Sequence, residues 1–300
     1  MLYSCVDSMK RLIQLLRKAL LQALANDVVN TAKAAAYSGI LMLFPALLVF
    51  TTLLAQVTTD ASVVVEVRST FEQFLPADTM DMLQSYLVSR PTRSTQVILS
   101  AVSLSFFIGL GLMLSLMEGF RRAYRLSSND WGFWPRHIRA LLLVPTVLIP
   151  LVLATLLLVF GREIEHWMIQ NAGHDMHHVV LFFWRMVRWA ISLATCVTVL
   201  GTLYHFGTPR EEHGLRVAPG AIAATVLWFP TTLAFGFYVT RIANYSVFYG
   251  SFGAGIATLV WLYFSSFSAL LGAELNGVLY RERQELKASK DSLTAEYSDL

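Results

Sequence analysis

Six stretches of the chain carry no charged side chain: residues 34–59, 94–117, 140–161, 189–209, 217–240 and 242–273. Apolar residues dominate each of them. About 20 such residues in a helix, rising about 1.5 Å apiece, cross the hydrocarbon of a bilayer. No water is present there to satisfy peptide groups, so a spanning segment must close its backbone hydrogen bonds internally, as a helix does. A water-soluble domain has no use for six such runs. The chain therefore reads as all-α, a polytopic integral membrane protein with six transmembrane helices. Only 14% of its residues are charged, against about 25% in soluble proteins, which agrees with that reading.

The spans are expected at about 34–58, 96–117, 140–160, 179–204, 217–240 and 250–279. They form one membrane domain over 34–279, between a cytoplasmic amphipathic segment, 1–33, and a cytoplasmic tail, 280–300, that extends the last helix. Cys5 and Cys196 offer no disulfide framework. Lys10, Arg11, Arg17 and Lys18 interrupt the leucines of the first segment, so no secretory h-region is present and insertion is expected to begin with the first span.

Lysine and arginine set the orientation. Sixteen of the 23 lie in the N-terminal segment, the 118–139 and 205–216 loops and the tail; five lie in the alternate loops. Positive residues stay in the cytoplasm, which places both termini there. The long external loop, 60–93, has apolar residues at helical spacing on either side of Pro76, as two short amphipathic helices would. Near the N-terminus Val6, Met9, Ile13, Leu16, Leu20 and Leu24 share one face, opposite Lys10, Arg11, Gln14, Arg17 and Lys18. Such a helix suits the cytoplasmic headgroup layer, where it would act as an anchor.

Polar groups in hydrocarbon are costly, so their placement is informative. On the fourth span Arg185, Arg188, Ser192, Thr195 and Thr202 fall on one helical face. The row is either the wall of a cavity that receives an anionic group, or two snorkelling arginines with hydroxyls bonded to backbone. Glu274 sits about 10 Å inside Arg281 on the last span and needs a partner or a proton. It is either a structural hydrogen bond between helices or a proton-coupling carboxylate. Ser265, Ser268, Gly272 and Asn276 form a separate small, polar face of that helix. Pro45, Pro145, Pro150 and Pro230 are expected to interrupt their spans, Pro45 and Pro230 as helix breaks. His166, His174 and His178 on the second external loop suggest either a solvated cluster or a weak zinc site; no metal site and no cofactor is expected. Nucleotide-binding and hydrolase motifs are absent from the sequence.

The segments NDVVNTAKAAAYSGILMLFPALLVF, LMEGFRRAYRL and the stretch from Ala218 to Leu279 closely resemble the YihY/BrkB family of bacterial inner-membrane proteins. Tyr37 and Pro45 match family positions, as do Pro219, Gly220, Tyr245, Tyr249, Gly250, Gly253, Gly272 and Glu274. The resemblance implies six transmembrane helices in the bacterial inner membrane. Members have carried a ribonuclease label, which these residues argue against. A nuclease needs metal-binding carboxylates or a histidine pair facing a basic groove. The short cytoplasmic loops hold only His137, His205 and His213 and no acidic cluster.

Other members are associated with serum resistance or envelope lipid phenotypes, which implies that the chain moves an amphiphile or solute. The candidate path residues are Arg185, Arg188, Ser192, Thr195, Glu274 and Asn276. A non-transporting scaffold of an envelope assembly is the alternative, and an intramembrane enzyme ranks last because no nucleophile–base pair is visible. Expected partners are membrane lipids and an unidentified small molecule or lipid substrate, with self-association allowed and no nucleic acid.

Overall fold

The computed structural model describes residues 2–57, 95–127, 132–150, 153, 177–208, 216–241 and 252–298. Its α-helices are α1 (Leu2–Ala25), α2 (Val28–Val57), α3 (Thr95–Ala123), α4 (133–150), α5 (His177–Gly207), α6 (Ala218–Arg241) and α7 (Phe252–Ser298). No strand occurs among the described residues. Among the described residues four stretches have the length and apolar character to cross a bilayer: Ile98–Ala123, Trp189–Gly207, Ala218–Tyr238 and Gly255–Ser292. Helix α2 carries the first uncharged run through residue 57, and α4 opens the third. The amphipathic pair expected in 60–93 lies outside the described residues, as does most of the histidine-bearing loop.

Packing is inverted relative to a water-soluble bundle. The buried surfaces are rich in small residues: Ala32, Ala35, Ala36, Ala123, Ala140, Ala221, Ala224, Ala269 and Ala273. Large apolar side chains point outward, Phe107 at 77% exposure and Val226 at 65%. In lipid no hydrophobic force separates leucine from its surroundings, so close backbone approach across small residues holds helices together. Helix α7 is central, packing against α1, α2, α3 and α6. Its 47 residues make a rod of about 70 Å, more than twice the hydrocarbon thickness.

Helix α2 begins at Val28, six residues ahead of the first uncharged run. Asn26 and Asp27 alone join it to α1, with Asp27 at φ 61°, a left-handed conformation that aspartate tolerates. The Asp27 carbonyl accepts from the Thr31 N–H and hydroxyl, both at 3.1 Å, and its carboxylate accepts from Asn30 Nδ2 at 2.7 Å.

The expected breaks at Pro45 and Pro230 are corrected: both prolines lie inside continuous helices. Residues 133–150, which include Pro145 and Pro150, are likewise helical throughout. A proline removes one i→i−4 bond, and the remaining ladder carries the helix past it.

Helix ends gather at one pole of the bundle. The start of α2, the end of α3, the start of α4, the end of α5 and the start of α6 all meet there, beside residues 269–282 of α7. Contacts described below join them: Asn26 to Glu274, Arg122 to Asp27, Arg136 to Glu118, Tyr204 to Ala269, and Gly220 to Asn276.

Candidate functional site

The seam between α6 and α7 is built from the polar face of α7. Ser265 accepts from Trp228 Nε1 at 3.0 Å, and Trp261 Nε1 donates to Thr232 at 3.3 Å. Two turns beyond Ser265, the backbones converge. A Cβ on Gly272 would lie 2.5 Å from the Gly220 carbonyl oxygen and 2.7 Å from Ala224 Cβ, so only glycine fits. Pro219 and Gly220 open α6, where backbone N–H groups have no intrahelical acceptor. Asn276 supplies one: its Oδ1 accepts from the Gly220 N–H at 2.8 Å, and its Nδ2 donates to the Val217 carbonyl at 2.9 Å. Tyr204 of α5 donates to the Ala269 carbonyl at 2.6 Å and meets Phe120 edge-on at 5.2 Å.

Glu274 points the other way, toward α1 and α2. Its carboxyl has 0% exposure. Asn26 Nδ2 donates to Oε1 at 2.8 Å, while Oε2, also buried, has no hydrogen-bond partner among the described residues. Two turns on, Arg281 donates from Nη1 to the Ala123 carbonyl at 2.7 Å and from Nη2 to Gln22 Oε1. The last turn of α3 is thus capped by a side chain of α7. That turn closes with Leu126 N–H to Arg121 C=O at 3.0 Å and Arg125 N–H to Arg122 C=O at 2.9 Å, with Arg125 at φ 53°. This is a Schellman arrangement with arginine where glycine is usual. Gly277 lets α7 approach this turn, since a Cβ there would collide with the Ala123 backbone.

Beside this joint Glu118 gathers three arginines: Arg121 at 2.6 Å, Arg122 at 3.1 Å and Arg136 at 3.4 Å. Arg122 also reaches Asp27 at 3.7 Å. The carboxylate links α3 to the start of α4 and, through Arg122, to the α1–α2 connection. Glu118→Gln removes the shared anion and leaves three cations crowded together. It should lower stability by roughly 1–2 kcal/mol, read as a lower thermal unfolding midpoint in detergent. An unchanged midpoint would mean that the cluster is fully solvent-screened.

The row on α5 reads differently in place. Thr195 donates to the Ile191 carbonyl at 2.8 Å and Thr202 to the Thr198 carbonyl at 2.8 Å, so these hydroxyls bond their own helix. Ser192 is half-buried, and the Arg185 and Arg188 side chains lie outside the described residues, as do Tyr245, Tyr249 and Gly250. His166 and His174 lie outside them too, and so does the side chain of His178. Tyr37 is exposed on α2, and Gly253 is buried in the first turn of α7. Among the described residues no three His, Cys, Asp or Glu side chains come together as a metal site would require. Glu274 and Asn276, two positions apart, thus serve opposite seams.

Several participants carry no signal in the sequence. Gln22, Asn26 and Tyr204 look like ordinary polar residues of an amphipathic helix, a connection and a span end. Their roles come from what α7 places opposite them.

Long helices with an apolar outer surface and small-residue contacts define a membrane protein with several bilayer-crossing helices. The chain belongs to the family described as Virulence factor BrkB, which it matches over residues 19–296. It is 30% identical over 251 residues to the ribonuclease-like protein YfkH of Bacillus subtilis, covering 83% of this chain and 89% of that one. It is 23% identical over 284 residues to a UPF0761 membrane protein of Legionella pneumophila, covering 91% of this chain and 62% of that protein. For a UPF0761 membrane protein of Chromohalobacter salexigens the identity is 26% over 282 residues, covering 91% and 65%. The chain thus spans under two thirds of the length of these UPF0761 relatives. No solved structure matches it.

Proposed function

We propose that this is a six-pass bacterial inner-membrane protein with both termini cytoplasmic. It moves an amphiphile or solute in the cell envelope, as a transporter or flippase would, and is neither a ribonuclease nor another enzyme. The membrane domain is 34–279, flanked by the segment 1–33 and the tail 280–300. The gathering of alternate helix ends at one pole supports the even number of passes. The excess of Lys and Arg in the segments at that pole supports its cytoplasmic position. Membrane lipids and an unidentified small molecule or lipid are its partners.

The single observation that carries a transport role is Glu274. Its carboxyl is fully buried with one oxygen unpartnered among the described residues, where α1, α2 and α7 meet. Leaving an acceptor unsatisfied costs about 1–3 kcal/mol, so a purely structural joint would fill the position better. A joint that separates and re-forms during a transport cycle has reason to keep it. Asn276 and Thr195 are committed to backbone partners and support the path; Arg185 and Arg188 are the proposed anion-recognising groups.

The test is a proteoliposome assay with fluorescent phosphatidylglycerol. The protein should accelerate exchange between leaflets, and Glu274→Gln should slow it at least tenfold with insertion and monodispersity unchanged. No acceleration by the intact protein would remove the amphiphile reading. Full activity in the variant would remove its main support.

A second reading, a scaffold for an envelope assembly, is favoured by the exposed surface of α7 over residues 284–292. Removing residues 283–298 should then abolish envelope function, whereas a transporter would still exchange lipid.

A further inference from the structure

The inner face of α1 packs on α7 through Leu15 and Ala19 against Leu275 and Val278. Beside this contact the two helices flank an open surface cleft of about 480 Å³ lined by Lys10, Arg11, Gln14, Leu15, Lys18 and Glu282. Glu282 lies 3.3 Å from Lys18 Nζ and 3.9 Å from the Arg11 guanidinium, so one carboxylate is shared between two cations. Lys10 adds a third, and the cleft keeps an excess of two positive charges. Lys10, Gln14 and Lys18 follow one another at steps of four and present their heads along one side of it.

The other end of α1 changes character. Leu20, Leu21 and Leu24 are each about half exposed or more, and they precede the connection to α2. Leu21, three residues beyond Lys18 and about 5 Å along the axis, continues the Lys10–Gln14–Lys18 side, whereas Leu20 and Leu24 belong to the apolar face of α1. That is the arrangement of a headgroup site at the membrane surface, with a charged head on the cations and an apolar side chain at its membrane end.

We infer that the α1–α7 cleft binds the phosphate headgroup of an anionic phospholipid, held by Lys10, Arg11 and Lys18 with an acyl chain leaving past Leu21. Gln14 supplies an amide donor for a phosphate oxygen. Glu282 spaces the cations apart and is displaced from them when the phosphate enters. The inference stands on α1 and α7 alone and does not depend on transport.

The test uses the full chain in nanodiscs of phosphatidylcholine doped with phosphatidylglycerol, with bound lipid counted by native mass spectrometry. The intact protein should retain phosphatidylglycerol over phosphatidylcholine. A Lys10→Gln, Arg11→Gln, Lys18→Gln variant should lose that preference, with roughly 10- to 100-fold weaker binding for three surface charges. All three side chains are exposed, and circular dichroism checks that the variant stays helical. Glu282→Gln should strengthen retention several-fold, giving a second readout independent of the triple variant. Equal retention of both lipids by the intact protein, or undiminished preference in a folded triple variant, would overturn the inference. So would displacement of the lipid by millimolar inorganic phosphate, which would assign the cleft to a soluble anion.

Discussion

Placing a methyl group at Gly220 or Gly272 should cost about 3 kcal/mol or more and leave much of the protein misassembled in detergent. At Gly272 the new carbon would sit 2.5 Å from the Gly220 carbonyl oxygen and 2.5 Å from the Tyr204 hydroxyl. At Gly220 it would press into the Gly272 carbonyl and the Asn276 amide. Most of these atoms are backbone or already hydrogen-bonded, so the helices must part rather than a side chain swing away. Parting them would also weaken the Asn276 bridge. Gly201 is the internal control, since a Cβ there would meet nothing within 4 Å. Gly201→Ala should be neutral or gain up to about 1 kcal/mol from helix propensity. Thermal unfolding followed by circular dichroism separates the two classes. Equal midpoints for Gly272→Ala and Gly201→Ala would show that α6 and α7 do not approach closely at that turn.

The second large effect is expected at Asn276. Changing it to alanine leaves the Gly220 N–H without its acceptor in a buried setting, whereas the Val217 carbonyl still accepts from the Ala221 N–H at 3.2 Å. One orphaned donor, a lost hydrogen bond and a small cavity together amount to about 2–4 kcal/mol. Asn276→Asp is the sharper test. The acceptor for Gly220 remains, but a carboxylate oxygen replaces the donor facing Val217 and brings an unpaired charge into a site of 1% exposure. It should destabilise at least as much as alanine, although it is isosteric. An aspartate variant with the stability of the parent would contradict the capping role.

The membrane-crossing architecture is legible because dry peptide groups demand long uncharged helices, and such runs stand out in any sequence. The opposite directions of Glu274 and Asn276 are legible for a related reason: two positions on a helix lie about 200° apart. Their partners are not, because Asn26 and Gly220 are brought to α7 by tertiary packing. The threonine row on α5 shows the limit of spacing arguments. A shared face is compatible with a cavity wall, but whether Thr195 bonds a ligand or the Ile191 carbonyl depends on a rotamer the sequence does not encode. The prolines mislead in the same way: the cost of each is local, and the ladder on either side outweighs it.

The side of the membrane on which the two ends lie is the most direct test of the account. Helix α1 and the extension of α7 are joined by the Lys18–Glu282 ion pair at the pole where the arginines of α3 also gather. Fluorescent-protein and alkaline phosphatase fusions should therefore report both ends in the cytoplasm: fluorescence at each terminus and phosphatase activity at neither. One active phosphatase fusion, placing the ends on opposite faces, would contradict the six-pass bundle and the polar joint drawn between its ends.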